Sequence, residues 1–191
     1  MFELSEIEEL VNQINLPRLY EIAKNSAQIG NEILKINYNK IQKISSKGRK
    51  GDLVTNVDLE VENKIKEYLL QETPNISIHA EESGKLNKSS DLTWCIDPLD
   101  GTTNYSHGYP FFGSSIGLVY KNKPIIGAIS VPYLSELYSA CIGLGSFCND
   151  INLKVSSPSN LSDSLLVTGF AYDRFDVEDN NYAEFCYLTH K

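Results

Sequence analysis

The 191-residue sequence lacks several things that would have placed it elsewhere. It has no apolar run long enough to span a membrane, and its acidic opening, Met1 to Leu10, carries no long apolar stretch of the secretion-signal kind. A soluble cytoplasmic protein without a membrane partner is therefore expected. Positive charge is in deficit: the formal net charge is −8, which argues against binding a nucleic-acid backbone. The four cysteines, Cys95, Cys141, Cys148 and Cys186, form no C-x-x-C pair and sit in apolar contexts, so buried reduced thiols are expected rather than zinc ligands or disulfides. Three histidines, His79, His107 and His190, lack metal-ligand spacing, and none stands in a nucleophile context. Zinc chemistry and serine or cysteine nucleophile schemes are weak as a result. Gly143-Leu144-Gly145 lacks the third glycine and the following helix of a dinucleotide fingerprint. No internal repeat, low-complexity tract or clear linker is present.

What is present suits one packed domain, with 41% hydrophobic residues. Residues 1–15 read as an acidic amphipathic lead-in. Pro17 opens a helix whose stripe is Leu19, Ile22, Ser26, Ile29, Ile33 and Ile36. Between Ile41 and Gly51, Lys43, Lys47, Arg49 and Lys50 lie among serine and glycine, which fits either a solvated charge run or a flap bringing a lysine to a phosphate. A second helix follows, with Thr55 and Asp58 spaced as a capping box and Val57, Val61, Ile65 and Leu69 as its buried stripe. Thr73-Pro74 ends it, and capping alone is a sufficient structural reason for Asp58. Ile76 to His79 alternates as a half-buried strand and ends in Ala80-Glu81-Glu82-Ser83. Later segments read as an antiparallel meander from Phe112 to Ile142, a hairpin at Asn149-Asp150 leading to Leu153–Val155, a strand at Ser164–Thr168, and weak helix from Asp179 onward.

The chemistry concentrates in Trp94-Cys95-Ile96-Asp97-Pro98-Leu99-Asp100-Gly101-Thr102-Thr103. An apolar strand ends on an acid; Pro98 cannot continue a ladder and Gly101 permits a tight turn. Two carboxylates on such a turn repel unless a cation lies between them, and hard oxygen ligands suit Mg²⁺. The backbone N–H groups and hydroxyls of Gly101, Thr102 and Thr103 suit a phosphate. An acidic protein that binds an anion needs local positive charge, which bound divalent metal supplies. If the strand before Glu81 lies beside the strand before Asp97, Glu81 joins Asp97 and Asp100 around one cation. A glycosidase carboxylate pair is the other chemistry such acids allow, but acids beside free N–H groups favour metal-assisted phosphate hydrolysis.

Asp97-Pro98-Leu99-Asp100-Gly101-Thr102-Thr103-Asn104 resembles the D-P-[IL]-D-G-T signature of the inositol monophosphatase family. Ala80-Glu81-Glu82-Ser83 resembles its G-E-E-S, with alanine in the glycine position, and the segment Asp52 to Asp58 resembles the one carrying a further active-site aspartate. The resemblance implies a layered αβαβα sugar-phosphatase fold of the α+β class, here two long helices against an antiparallel sheet. It implies Mg²⁺ held by Glu81, Asp97 and the Leu99 carbonyl, with Asp97 and Asp100 contributing to a second ion. Glu82 would lie behind these ligands. Thr102 paired with Asp58 would orient and deprotonate water, with Glu81 also counted among the catalytic groups. Gly101, Thr102, Asp100 and flap residue Lys47 would meet the phosphate or the substrate, toward which the strand before Tyr172 and Asp173 would lead.

The activity implied is Mg²⁺-dependent hydrolysis of myo-inositol phosphate to myo-inositol and phosphate, without a phosphoenzyme and with lithium inhibition. Fructose 1,6-bisphosphate, a 3′-phosphoadenosine nucleotide and histidinol phosphate are alternative substrates, and a homodimer is left open. One departure stands out. The family's later W-D-x-x-A-G segment, which supplies an aspartate to the second metal and to substrate hydroxyls, has no counterpart, since Trp94 is the single tryptophan. Residues 1–191 are thus expected to form one N-terminal α+β portion of the family's domain, with apolar sheet surface left uncovered. A truncated, non-catalytic remnant is the corresponding alternative.

Overall fold

The computed structural model describes residues 14–40, 44–46, 53–170 and 174–190. Helix α1, Leu16–Asn37, starts with Asn15 accepting the Arg18 N–H at 3.1 Å and with Pro17 in the first turn, where its missing N–H is not needed. Its buried face runs through Leu19, Ile22, Ala23, Ser26, Ala27, Gly30 and Leu34. The expected stripe departs from this in its last third: Ile29 and Ile33 are half-buried and Ile36 is 64% exposed. At 100° per residue, Ile36 lies about 120° round the helix from buried Gly30, whereas Leu34 lies only about 40° from it and stays on the inner face. Small residues on that face let the helix approach the sheet. A Cβ on Gly30 would stand 2.5 Å from Ser114 Oγ.

Strands β1 (Ile44–Ser46) and β2 (Leu53–Thr55) form a separate antiparallel ribbon that delivers Thr55 to the start of α2, Asn56–Glu72. The capping box forms as its spacing predicts: Thr55 accepts the Val57 N–H, and Asp58 accepts the Thr55 N–H at 2.9 Å. Val57, Val61, Ile65 and Leu69 are all fully buried, each contributing about 1.5–3 kcal/mol of apolar burial. Thr73 closes the helix, giving its N–H and hydroxyl to the Leu69 carbonyl at 2.8 and 2.7 Å.

The remaining strands are β3 (Ser77–Ala80), β4 (Gly84–Leu86), β5 (Leu92–Asp100), β6 (Gly113–Tyr120), β7 (Lys123–Val131), β8 (Glu136–Cys141), β9 (Gly145–Cys148) and β10 (Ile151–Asn152). They form one sheet ordered β10-β9-β8-β7-β6-β5-β3-β4. Every neighbouring pair is antiparallel except β3 and β5. Both long helices pack on one face, α1 over β6 to β8 and α2 against β5. Buried polar contacts fix this seating: Trp94 Nε1 donates to Thr73 Oγ1 at 3.0 Å, Tyr20 Oη and Ser139 Oγ are 2.6 Å apart, and Tyr105 Oη donates to the Leu34 carbonyl at 3.0 Å. The α+β class, the two long helices and the meander agree with expectation.

Several expectations do not survive. The strand of the signature stretch does not stop at Asp97. It continues to Asp100, with its pairing to β6 interrupted between Asp97 and Asp100, so Pro98 sits at a bulge where no ladder N–H is required. Pairing after the Asn149-Asp150 hairpin falls at Ile151–Asn152 rather than Leu153–Val155. Ser164–Thr168 forms no strand; Leu165 and Val167 are 98% exposed, and no described strand lies beside them to complete a ladder. The late helix is Tyr182–Thr189, and Cys186 on it is exposed, not buried. All four cysteines are free thiols. The lead-in through Gln13, together with Lys43, Lys47, Arg49 and Lys50, lies outside the described residues. Among the described residues, no helix is long and apolar enough to cross a membrane.

Candidate active site

Parallel pairing of β3 with β5 sets Ala80 beside Ile96, and the Glu81 N–H continues the ladder to the Ile96 carbonyl at 3.1 Å. The next residue in each case is an acid, so Glu81, just past the end of β3, meets Asp97 within β5. The Asp97 carboxyl is pushed up to about 7, first by burial, then by the charge and hydrogen bond of Glu81, then by Asp100. An opposing influence is the Leu99 N–H, which donates to Asp97 Oδ1 at 3.2 Å. Asp100 is exposed at the end of β5, near enough to act on Asp97 through its charge but turned to solvent. Glu81 and Asp97 line a cleft of about 550 Å³ together with His79, Cys95, Ser115 and Gly117.

After Asp100 the chain turns sharply. Gly101 has φ 83°, a backbone that other residues adopt only under strain, and a Cβ there would crowd the Phe111 carbonyl at 3.1 Å and Phe112 Cα at 3.3 Å, so glycine is favoured on both counts. It precedes the short helix α3, Thr102–Ser106. The Thr102 N–H has no acceptor within that helix, because the first bond runs from Tyr105 N–H to the Gly101 carbonyl. Asn104 holds the far side of the loop, donating to the Phe111 carbonyl at 2.8 Å.

Asp58 joins this turn to α2. Its Oδ2 accepts both the N–H and the hydroxyl of Thr55, at 2.9 and 2.5 Å, while Oδ1 lies 3.2 Å from Thr102 Oγ1. Thr102 Oγ1 is also 2.9 Å from the Leu99 carbonyl. One hydroxyl hydrogen cannot serve both acceptors at once. Burial raises the Asp58 carboxyl above its ordinary range, and the bonds from Thr55 and Thr102 work in the opposite direction. Capping and a contact with the signature turn are therefore not alternatives for Asp58, since each oxygen takes one of them.

Among the described residues no three histidine, cysteine or acidic side chains form a ready-made metal cluster. Mg²⁺ does not need one, because it is commonly held by one or two carboxylates with water and substrate phosphate completing the shell. Two crowded carboxylates, with no described basic side chain in an ion pair with Asp97, fit that pattern. Of the residues named from sequence, Glu81 and Asp97 form one group, and Asp58, Thr102 and the Leu99 carbonyl a second, linked through the turn at Gly101. Asp100 stands at the rim. Lys47, Tyr172 and Asp173 lie outside the described residues. Sequence reading missed Glu62, a fully buried acid on the inner face of α2 that accepts the N–H groups of Glu82 and Ser83. Its only sequence signal is an acid one turn after Asp58 on an apolar face.

Comparison with known proteins bears on the same residues. The model of the inositol monophosphatase family matches residues 15–191. An inositol-1-monophosphatase of Synechocystis sp. is 48% identical over 162 residues, covering 84% of this chain and 56% of that protein. A fructose-1,6-bisphosphatase/inositol-1-monophosphatase of Aquifex aeolicus is 41% identical over 158 residues, covering 82% of this chain and 60% of that protein. Among solved structures, inositol monophosphatase from Anabaena (Nostoc) superposes with a TM-score of 0.79 at 43% identity, over 93% of this chain and 65% of that one. The chain thus spans between half and two thirds of the length of these relatives. The matched range, residues 15–191, contains both turns and the helix that ties them together, and the chain belongs to the inositol monophosphatase family.

Proposed function

We propose that this chain carries the metal and phosphate machinery of a phosphomonoesterase that hydrolyses inositol monophosphate to inositol and inorganic phosphate. The observation that supports it most is the parallel β3–β5 register, which sets Glu81 against Asp97 at the mouth of a cleft, together with family membership. Glu81, Asp97 and the Leu99 carbonyl would hold Mg²⁺, with Asp100 placed to contribute to a second ion. Bound there, the metal supplies a lowered pKa for water and offsets phosphate charge.

The rest is done by the chain. When Thr102 gives its hydrogen to Asp58, its oxygen retains lone pairs to accept from an attacking water and orient it, and Asp58 is placed to take up the proton. The Gly101 and Thr102 N–H groups would bind the phosphate at a turn whose left-handed backbone favours glycine, and Lys47 is assigned to the same anion. Residues 1–191 are read as a single portion of the family's domain, and turnover is assigned to the protein as a whole. A second reading has specific support: the Aquifex aeolicus relative is named for fructose 1,6-bisphosphate as well as inositol phosphate. The test compares phosphate release from the two substrates with Mg²⁺ and with chelator. Mg²⁺-dependent release favouring myo-inositol 1-phosphate supports the first reading, and preference for the bisphosphate supports the second. Release unaffected by chelator, or none from either substrate, would sink both.

A further inference from the structure

We propose that Glu62, assisted by Lys66, is a positioning residue that fixes the metal ligand Glu81 from behind the sheet end. This rests on the reading of Glu81 and Asp97 as Mg²⁺ ligands. Glu62 is 1% exposed, and an acid so deeply buried is kept only where its oxygens are satisfied. Its two oxygens divide between consecutive backbone groups: Oε2 accepts the Glu82 N–H at 2.7 Å and Oε1 the Ser83 N–H at 3.0 Å. Lys66, one turn further along α2, donates to Ser83 Oγ at 2.6 Å and lies 3.9 Å from Glu62 Oε1. Three bonds from one helix thus hold the turn that directly follows Glu81.

The geometry says what they hold. The Glu82 N–H belongs to the peptide joining Glu81 to Glu82, so fixing it fixes the rotation after Glu81 Cα. The Glu81 N–H is itself bound to the Ile96 carbonyl at 3.1 Å, which fixes the rotation before it. Glu81 is pinned on both sides, and its side chain leaves the backbone in one direction, toward Asp97. Asp58 and Glu62 are one helical turn apart on the same buried face. The first reaches the turn after β5 through Thr102, and the second reaches the turn after β3. Helix α2 therefore sets the two ligand-bearing turns in register with each other, one carboxylate to each. Neither Glu62 nor Lys66 has to touch metal or substrate for this.

The experiment measures Mg²⁺ alone by calorimetry on wild type, Glu62→Gln, Lys66→Met and Asp97→Asn, with amide exchange at residues 82 and 83 as a readout independent of turnover. In Glu62→Gln one amide N–H faces the new NH₂ instead of an acceptor. The expected result is 10–100-fold weaker Mg²⁺ binding, the range typical of groups that orient metal ligands. Exchange at Glu82 and Ser83 is expected to quicken at least tenfold while amides in the middle of α2 keep their protection. Asp97→Asn is expected to abolish binding. If Asp97→Asn binds like wild type, the underlying reading fails. If Asp97→Asn loses binding while Glu62→Gln keeps wild-type affinity, that reading stands and the positioning role is overturned. Should Glu62→Gln not fold, Lys66→Met decides: weakening of about threefold or more supports the clamp, and wild-type affinity overturns it.

Discussion

Asp58 serves two purposes with two oxygens, and substitution can separate them. In Asp58→Ala, the Thr55 N–H and hydroxyl both lose their acceptor. Thr55 is 2% exposed, so water cannot replace it. Each unsatisfied buried donor costs about 1–3 kcal/mol, so the two give a destabilisation of about 2–6 kcal/mol. In Asp58→Asn, the amide oxygen can still take the Thr55 bonds, while the NH₂ group faces Thr102. Thr102 then accepts from Asn and donates to the Leu99 carbonyl, already 2.9 Å away. Stability should fall by only about 1 kcal/mol, yet the group assigned to take the proton is gone, and turnover should fall about 10²–10⁴-fold.

Urea denaturation and phosphate release measured on the same two variants separate these effects. The reasoning is refuted if Asp58→Asn costs as much stability as Asp58→Ala, or if it retains wild-type turnover. The pH dependence adds a sign. Burial raises the Asp58 carboxyl in the folded state above its ordinary value of 3.8. Its protonated form is the one folding favours, so its contribution is fully present below 3.8 and is lost as pH rises through the raised value. Wild type should therefore lose stability relative to Asp58→Asn across that window, and a constant gap would contradict the burial argument.

Other outcomes follow from packing. Gly30→Ala would place a Cβ 2.5 Å from Ser114 Oγ and 2.7 Å from its Cβ, an overpacking cost of about 1–3 kcal/mol that exceeds the gain of about 0.5–1 kcal/mol from replacing a helical glycine. Adding Ser114→Gly should recover most of the loss in a double-mutant cycle, and simple additivity would count against this seating of α1. Ser114→Ala alone should be neutral or stabilising in urea melts, because the buried Ser114 hydroxyl has no hydrogen-bond partner among the described residues. Thiol labelling of the folded protein at pH 8 should modify exposed Cys186 first and leave Cys141 nearly untouched, since burial pushes the Cys141 thiol up to about 11. Equal rates would mean that the edge of β8 opens readily.

What the sequence disclosed depended on how local the cause was. The α2 stripe and the Thr55–Asp58 box are set by spacing within one helix, and both appear as expected. Ile36 went astray because steps of three and four drift when summed over ten residues, whereas the small Ala23, Ala27 and Gly30, which let α1 approach the sheet, carry little hydrophobic signal. Ser164–Thr168 reads as a strand through its apolar run Leu165–Val167, but a strand is made by its neighbour, and no described strand pairs with it. The meeting of Glu81 with Asp97 could be stated only as a condition, because it depends on a parallel pairing that no short-range pattern specifies. Glu62 left almost no trace, because its partners are backbone amides 20 and 21 residues away.

The central claim is that Glu81 and Asp97, adjacent through the β3–β5 register, form a single Mg²⁺-dependent centre for phosphate ester hydrolysis. Its most direct test is Mg²⁺-dependent phosphate release from myo-inositol 1-phosphate by the full protein and by its Glu81→Gln and Asp97→Asn variants, with folding checked by urea melts. The account predicts release that requires Mg²⁺ and is lost in both folded variants. Turnover that survives either substitution, or that persists in chelator, would contradict it.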